Sequence, residues 1–265
     1  MRDQLQTAVA LIYPPSCLAC GAWVAAHGGL GGPCWRDTGF IEGVVCETCG
    51  IPLLGDLSET DVRCDACLAA PPPWDHGRAA LLYRDTGRRL VLALKHGDRH
   101  DIARPAAKWM ARVTRGLIRD NMLAVPVPLH VRRHLKRRYN QSSLLAEALA
   151  RDLGLGWCPD ALERVRPTPS LEGKSREERF TALDGMIRVS DWRRPMIEGR
   201  PVLIVDDVND QQERWLKSNV SRMRRPDASG GGWLSQTSSS QRLSRPVGMR
   251  LFHASSAFST AGMKE

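Results

Sequence analysis

Val202-Leu203-Ile204-Val205-Asp206-Asp207-Val208 is the stretch on which the reading of the whole chain turns. Four apolar residues, three of them β-branched, run into two carboxylates. This is the pattern of a buried parallel strand that delivers acidic side chains to its carboxyl end, where open α/β sheets bind ligands. The next residues are Asn209-Asp210-Gln211-Gln212-Glu213-Arg214. A loop that wraps a phosphate needs glycine and hydroxyl residues, so that backbone N–H groups converge on the anion at the start of a helix. These residues are bulky and charged instead. The strand therefore predicts an acidic ligand site, and the segment after it supplies no phosphate cradle.

Upstream, strand-like and helix-like runs alternate. Ala79 to Tyr83 has the pattern of a short strand, and within Gly87 to His96 the apolar residues Leu90, Val91 and Leu94 recur at helical spacing. Asp101 is expected to cap an amphipathic helix reaching about Arg119. Leu123 to Pro128 is a strand ending in prolines, and Ser142 to Leu153 is an amphipathic helix closed by Gly154. This alternation predicts an α/β fold, with a parallel doubly wound sheet over residues 76–208. Residues 209–265 break the order. They hold eleven Ser, the runs Gly230-Gly231-Gly232 and Ser238-Ser239-Ser240, and apolar residues with neither period. They are expected to form an aberrant, mostly disordered tail, leaving the sheet domain incomplete at its C-terminus.

With 265 residues and 42% hydrophobic content, the chain can bury one sizeable α/β core plus a small module. No run approaches the length of a membrane span, and Ala8 to Tyr13 is too short, and too soon ended by Pro14-Pro15, for a secretory signal. A cytoplasmic location is expected, where paired cysteines hold metal rather than disulfides. Of the net charge of +9, residues 209–265 supply nine Lys/Arg against four acids, or +5, leaving +4 for the body. An excess of that size is weak evidence for a polyanion partner.

Residues 1–75 are rich in Cys, Gly and Pro, which suits a module held by metal rather than by a hydrophobic core. Cys46-x2-Cys49 and Cys64-x2-Cys67 stand fourteen residues apart. Each pair sets two sulfurs at the end of a knuckle, and two knuckles complete the tetrahedron of a four-thiolate zinc ribbon. Cys17-x2-Cys20 and Cys34 outline a second site, but Gly31 stands three residues before Cys34, so one ligand is missing. That site binds zinc weakly, recruits water or a histidine such as His27, or stays empty. Nothing beside either site resembles a general base, so zinc is expected to be structural. Pro71-Pro72-Pro73 is a stiff spacer to the α/β domain, and Cys158 stands alone as a free or structural thiol.

Four elements of the α/β part converge on polyphosphate or phosphosugar recognition. Lys95-His96-Gly97-Asp98-Arg99-His100 closes a helix with cationic groups around a glycine, and Val125-Pro126-Val127-Pro128-Leu129-His130 brings a rigid strand end to the same side of the sheet. The polyanion-binding candidates Arg132, Arg133, Lys136, Arg137 and Arg138 precede Tyr139-Asn140-Gln141 at the start of a helix, where N-terminal amides suit anions. Arg166 to Leu171, continuing through Arg176 and Arg179, is a polar stretch with turn formers that suits a mobile cover. The fourth element is Asp206-Asp207. Adjacent strand carboxylates point to opposite faces, which suits gripping ribose hydroxyls and hydrated Mg²⁺ rather than sharing a proton.

These motifs, together with Pro14-Pro15-x-Cys17-x2-Cys20, Cys34-Trp35, Cys46-x2-Cys49-Gly50 and Leu94-Lys95-His96-Gly97, fall in one order along residues 11–208. In that order the chain resembles the ComF-like competence family of the type I phosphoribosyltransferase superfamily. The resemblance implies a double zinc ribbon followed by a domain that binds phosphoribosyl pyrophosphate, associated with uptake of single-stranded DNA in natural transformation. It implies that Asp206 and Asp207 hold the ribose, that Lys95, Val127, Pro128 and His130 lie on the pyrophosphate side, and that Arg176 and Arg179 belong to a flexible loop above it. The chain departs from the family at Gly31, where a zinc-ligand cysteine is expected, and after Val208, where Met-Thr-Thr/Ser-Gly-Ala-Thr is expected. If Asn209-Asp210-Gln211 were encoded AAT-GAC-CAG, reading one base later would give Met-Thr followed by Ser or Arg. A frameshift after Val208 would therefore account for both the missing loop and the aperiodic tail.

No residue identifies an acceptor, so catalytic residues stay unassigned and transferase activity is doubtful in this copy. Two rivals remain. One is a zinc-ribbon protein that binds single-stranded nucleic acid through the Arg132–Arg138 cluster, where Tyr139 is the one close aromatic for stacking. The other is a non-functional truncated product, with an exposed sheet edge.

Overall fold

The structure is a computed structural model that describes residues 13–56, 61–69, 71–72, 74–129, 139–165, 186–207 and 250–254. Two short helices, α1 (Gly32–Asp37) and α2 (Asp65–Ala69), belong to the cysteine-rich region. The α/β part follows with β1 (His76–Ala79), α3 (Asp85–His96), α4 (Ala103–Thr114), β2 (Leu123–Pro126), α5 (Gln141–Leu153) and β3 (Gly156–Trp157). It continues with β4 (Leu162–Arg164), β5 (Ile187–Val189), α6 (Arg194–Ile197), β6 (Val202–Asp206) and β7 (Arg250–Ala254).

Five strands form one sheet in the order β1-β7-β6-β2-β3, and β4 and β5 form a separate antiparallel pair. β2 lies parallel to both β3 and β6, with Leu123 opposite Val202 and Pro126 opposite Val205. The α/β class and the parallel centre read from sequence are thus present. β7 runs antiparallel between β6 and β1, so five residues of the segment expected to lack any period form a strand. The first strand covers His76–Ala79 rather than Ala79–Tyr83, because Leu81 leaves the sheet to bridge Phe40. Asp101 caps nothing: its carboxylate receives the Arg99 guanidinium at 2.8 and 2.7 Å, which holds it below the usual carboxylate range. A 3₁₀ turn at His100–Ile102 leads into α4 in its place.

Period-2 alternation along β6 separates two cores. Leu203 and Val205 pack with Leu90, Val91 and Leu94 of α3, Met110 of α4, and Leu145 and Leu149 of α5. Val202 and Ile204 face the other way, into a layer with Leu123, Val125, Leu162, Ile187, Ile197 and Trp74. The second face is therefore covered by the β4–β5 pair and α6 rather than by long helices.

Both cysteine loops are built into this body. Leu18, inside the first C-x2-C turn, is 3% exposed and belongs to the helical core layer, and Arg99 donates to its carbonyl at 3.3 Å. The second loop lies along β1. Trp74 donates its indole N–H to the Thr48 carbonyl at 2.6 Å, and Arg78 grips both Glu47 carboxylate oxygens at 2.7 and 2.6 Å. Gly50, with φ +72°, abuts the backbone of Gly77 and Arg78, where an added Cβ would meet atoms at 2.9 Å. Among the described residues no helix is long and apolar enough to cross a membrane.

Candidate functional site

The cysteines read as ligands form two clusters, in each of which the sulfurs lie within 4.8 Å of one another. Cys46, Cys49, Cys64 and Cys67 make the complete set, with Cys49 and Cys64 sulfurs 3.7 Å apart. Two knuckles produce this convergence: Gly50 N–H closes the first onto the Cys46 carbonyl at 2.8 Å, and the Cys67 and Leu68 N–H groups close the second onto the Cys64 carbonyl. Thiol hydrogen bonds from Cys49 and Cys67, then the Cys64 N–H, lower the pKa of Cys46, while the bond to Cys46 pushes Cys49 up to about 12 and Cys67 up as well. Four converging sulfurs, three of them buried, fit Zn²⁺, whose structural sites are tetrahedral and sulfur-rich.

Cys17, Cys20 and Cys34 form the second cluster, in which Cys20 is exposed. Burial alone would raise Cys17, but N–H donors from Gly31, Cys20 and Ala19 bring it down to about 6. Cys34 is pushed up to about 11, first by burial and then by its bonds with Cys20 and Cys17. His27 is exposed and lines a cavity of about 810 Å³ with Gly28, Arg104, Lys108 and Trp109; it is not part of the sulfur cluster. Cys158 is buried, far from both clusters in sequence, and its thiol is raised by burial and by Asp160.

The second candidate region is the carboxyl end of β2 and β6. Asp206 is 4% exposed and Asp207 6% exposed. Asp206 Oδ1 accepts from Ser142 Oγ at 3.0 Å and from the Asp207 N–H at 2.8 Å. Asp207 Oδ1 lies 3.5 Å from Lys95 Nζ at the end of α3. The strand ends at Asp206, so the pleat does not set the direction of Asp207, and both carboxylates meet groups of the same helical layer rather than opposite faces.

Asn140 caps α5 by accepting from the Ser142 N–H at 3.1 Å, and its amide donates to the Val127 carbonyl at 3.0 Å, tying the helix start to the end of β2. Arg164 donates to the Pro128 carbonyl at 3.1 Å from the other side. Tyr139 and Gln141 donate to the Leu94 and Lys95 carbonyls at 2.7 and 3.3 Å, fastening α5 to the end of α3. Gln141 is 1% exposed, and its Oε1 has no hydrogen-bond partner among the described residues.

Lys95, Val127, Pro128, Asp206 and Asp207, predicted from sequence, are thus gathered at one end of the sheet. His130, the cluster Arg132, Arg133, Lys136, Arg137 and Arg138, the pair Arg176 and Arg179, and Asn209–Arg214 lie outside the described residues. Sequence reasoning missed Ser142 and Arg164 as members of this region. The Asn140-x-Ser142 spacing was the available signal for Ser142, because a capping Asn places the hydroxyl two residues later at the mouth of the helix. Arg164 gave none, since its contact depends on how the β4–β5 pair folds over the sheet.

Residues 8–68 match the family model of the double zinc ribbon domain. The chain is 32% identical over 205 residues to the DNA utilization protein YhgH of Escherichia coli strain K12, covering 75% of this chain and 86% of that protein. The YhgH of Salmonella typhimurium is 32% identical over the same shares. Competence protein F of Haemophilus influenzae is 28% identical over 200 residues, covering 72% of this chain and 83% of that protein. No solved structure matches the chain.

Proposed function

The chain belongs to the ComF-like family that includes YhgH and Competence protein F, and from that premise we propose that it acts in DNA utilization and takes phosphoribosyl pyrophosphate or a related phosphosugar at Asp206 and Asp207. The observation that carries this reading is the pair of buried carboxylates at the end of the central parallel strand, facing the capped start of α5 and Lys95. Carboxylates accept hydrogen bonds from ribose hydroxyls, while the ammonium of Lys95 and the positive end of α5 favour an anionic pyrophosphate beside them. Asn140 and Arg164, by holding the Val127 and Pro128 carbonyls, keep the strand end in position.

The two buried carboxylates at the strand end are the hard oxygen donors that a hard cation takes. Mg²⁺ carried by the pyrophosphate would neutralise its charge, with Asp206 and Asp207 as the oxygens to hold it. The bulky residues after Val208 offer no glycine or hydroxyl to cup the 5′-phosphate, so binding is weak in this copy.

Calorimetric titration of the zinc-loaded chain with phosphoribosyl pyrophosphate and Mg²⁺ tests this. Weak binding is expected, lost on joint Asp206→Asn and Asp207→Asn substitution, and strengthened when residues 209–214 are replaced by Met-Thr-Thr-Gly-Ala-Thr. Unchanged binding by the double variant overturns the site, and tight binding by the unaltered chain overturns the impairment.

A further inference from the structure

The two sulfur clusters differ at one position. In the complete cluster both turns read Cys-x2-Cys, whereas in the first the partner turn reads Gly31-x2-Cys34. The backbone of that turn is nevertheless in place. Gly31 donates its N–H to Cys17 Sγ at 3.3 Å, and a Cβ built on Gly31 would lie 4.0 Å from the same sulfur. Zinc–sulfur bonds of about 2.3 Å put neighbouring sulfurs of a tetrahedral site roughly 3.8 Å apart. Position 31 is therefore where a fourth ligand would stand, and glycine brings none.

No other described residue closes the gap. Among the described residues the cluster contains only the three cysteines, without a histidine, aspartate or glutamate. Cys20 is exposed, so the cluster opens to solvent on that side. The three sulfurs are nevertheless drawn together, and N–H groups aimed at Cys17 Sγ are the contacts that stabilise a thiolate ligand.

We propose that Cys17, Cys20 and Cys34 hold a zinc ion whose fourth coordination position, left open by Gly31, takes an exogenous soft donor of the small-thiol class. A thiol entering there displaces a solvent molecule, releases its proton to water and adds a fourth Zn–S bond; nothing is oxidised or reduced. The cluster is thus an exchangeable, ligand-responsive site, while the complete cluster is closed. This inference rests on the zinc ribbon and is independent of the phosphosugar reading.

The test uses the full chain loaded with Co²⁺, whose visible bands report the number of sulfur ligands. Two equivalents should bind, and 2-mercaptoethanol should shift the spectrum of one toward that of a four-sulfur site. Gly31→Cys should show the four-sulfur spectrum for both equivalents without added thiol. Gly31 has φ −64° and ψ 153°, which any residue adopts, so the replacement brings no backbone strain. With zinc instead, a chelator should remove one equivalent fast and one slowly. Gly31→Cys should slow the fast phase by at least about tenfold, the scale on which even outer-shell partners change zinc affinity. A single bound equivalent overturns the proposal. So do two equivalents with no response to thiol, and a response that then appears in His27→Ala would identify His27 as the closing ligand.

Discussion

The two cysteine knuckles end in the same way, which makes a controlled test of how the zinc module is attached to the sheet. Gly21 follows Cys17-x2-Cys20 and Gly50 follows Cys46-x2-Cys49; their N–H groups bond the Cys17 and Cys46 carbonyls at 2.9 and 2.8 Å, and their φ values are +77° and +72°. Alanine at either position bears the left-handed cost of about 1–2 kcal/mol. Beyond that they diverge. A Cβ at Gly21 meets nothing within 4 Å, whereas at Gly50 it meets Arg78 Cα and the Gly77 carbonyl at 2.9 Å and the Ala79 N at 3.1 Å. These are backbone atoms of β1 and cannot swing aside, so the strand must shift by some tenths of an ångström, an overpacking cost of about 1–3 kcal/mol. Gly21→Ala should therefore lose about 1–2 kcal/mol, and Gly50→Ala about 2–5 kcal/mol. Urea unfolding of the zinc-loaded variants, followed by far-UV circular dichroism, measures both. The docking of the second knuckle on β1 would be refuted by equal losses, or by a greater loss at Gly21.

Leu18→Ala removes a side chain that is 3% exposed in the helical core layer; the urea midpoint should fall by an amount equal to about 2–5 kcal/mol. Trp74→Phe keeps most of the ring volume but strands the buried Thr48 carbonyl. A loss of about 1–3 kcal/mol is expected from the same measurement. Burial pushes the Cys158 thiol above its ordinary value of 9.0. It should react with a thiol reagent far more slowly than exposed Cys20 at neutral pH and gain rate only above the ordinary thiol range. Because the folded thiol holds its proton more tightly than the unfolded one, the stability it contributes is whole below pH 9.0 and declines as pH rises past it. Cys158→Ser should flatten that alkaline decline in a pH series of thermal unfolding, and should leave the zinc content unchanged.

Local signals carried the parts of the fold that rest on local causes. The apolar run Val202 to Val205 announced β6, and Leu90, Val91 and Leu94 announced the buried face of α3, because period and burial are tied by geometry. The C-x2-C pairs announced the sulfur clusters for the same reason. What escaped depends on contacts between distant segments. Asp101 looked like a helix cap, yet Arg99 two residues earlier takes its carboxylate, and no propensity reveals which partner wins. Five residues near the end of a serine-rich segment pair with β6, since an unsatisfied strand edge provides hydrogen bonds that a weak pattern does not advertise. At the acidic site, Asp206 and Asp207 were legible from the strand. Ser142 and Arg164 were not, because each reaches the site through tertiary placement.

The cysteine-rich region is packed against the sheet rather than strung beside it. Leu18, held inside the first cysteine turn, enters the core layer that contains Leu203 and Val205, while Trp74, bonded to Thr48 of the second turn, enters the opposite layer with Val125 and Ile204. The two knuckles thus reach the two faces of the same strand. That strand ends in Asp206, and its neighbour β2 runs on into the Val127 and Pro128 carbonyls that Asn140 and Arg164 hold. Leu18 within the first turn and Trp74 bonded to the second thereby tie the cysteine-rich region to the layers on which the acidic site is built. The stretch Pro71-Pro72-Pro73 therefore links two parts that also meet directly, through Leu18 in one core layer and through the Trp74–Thr48 hydrogen bond beside the other.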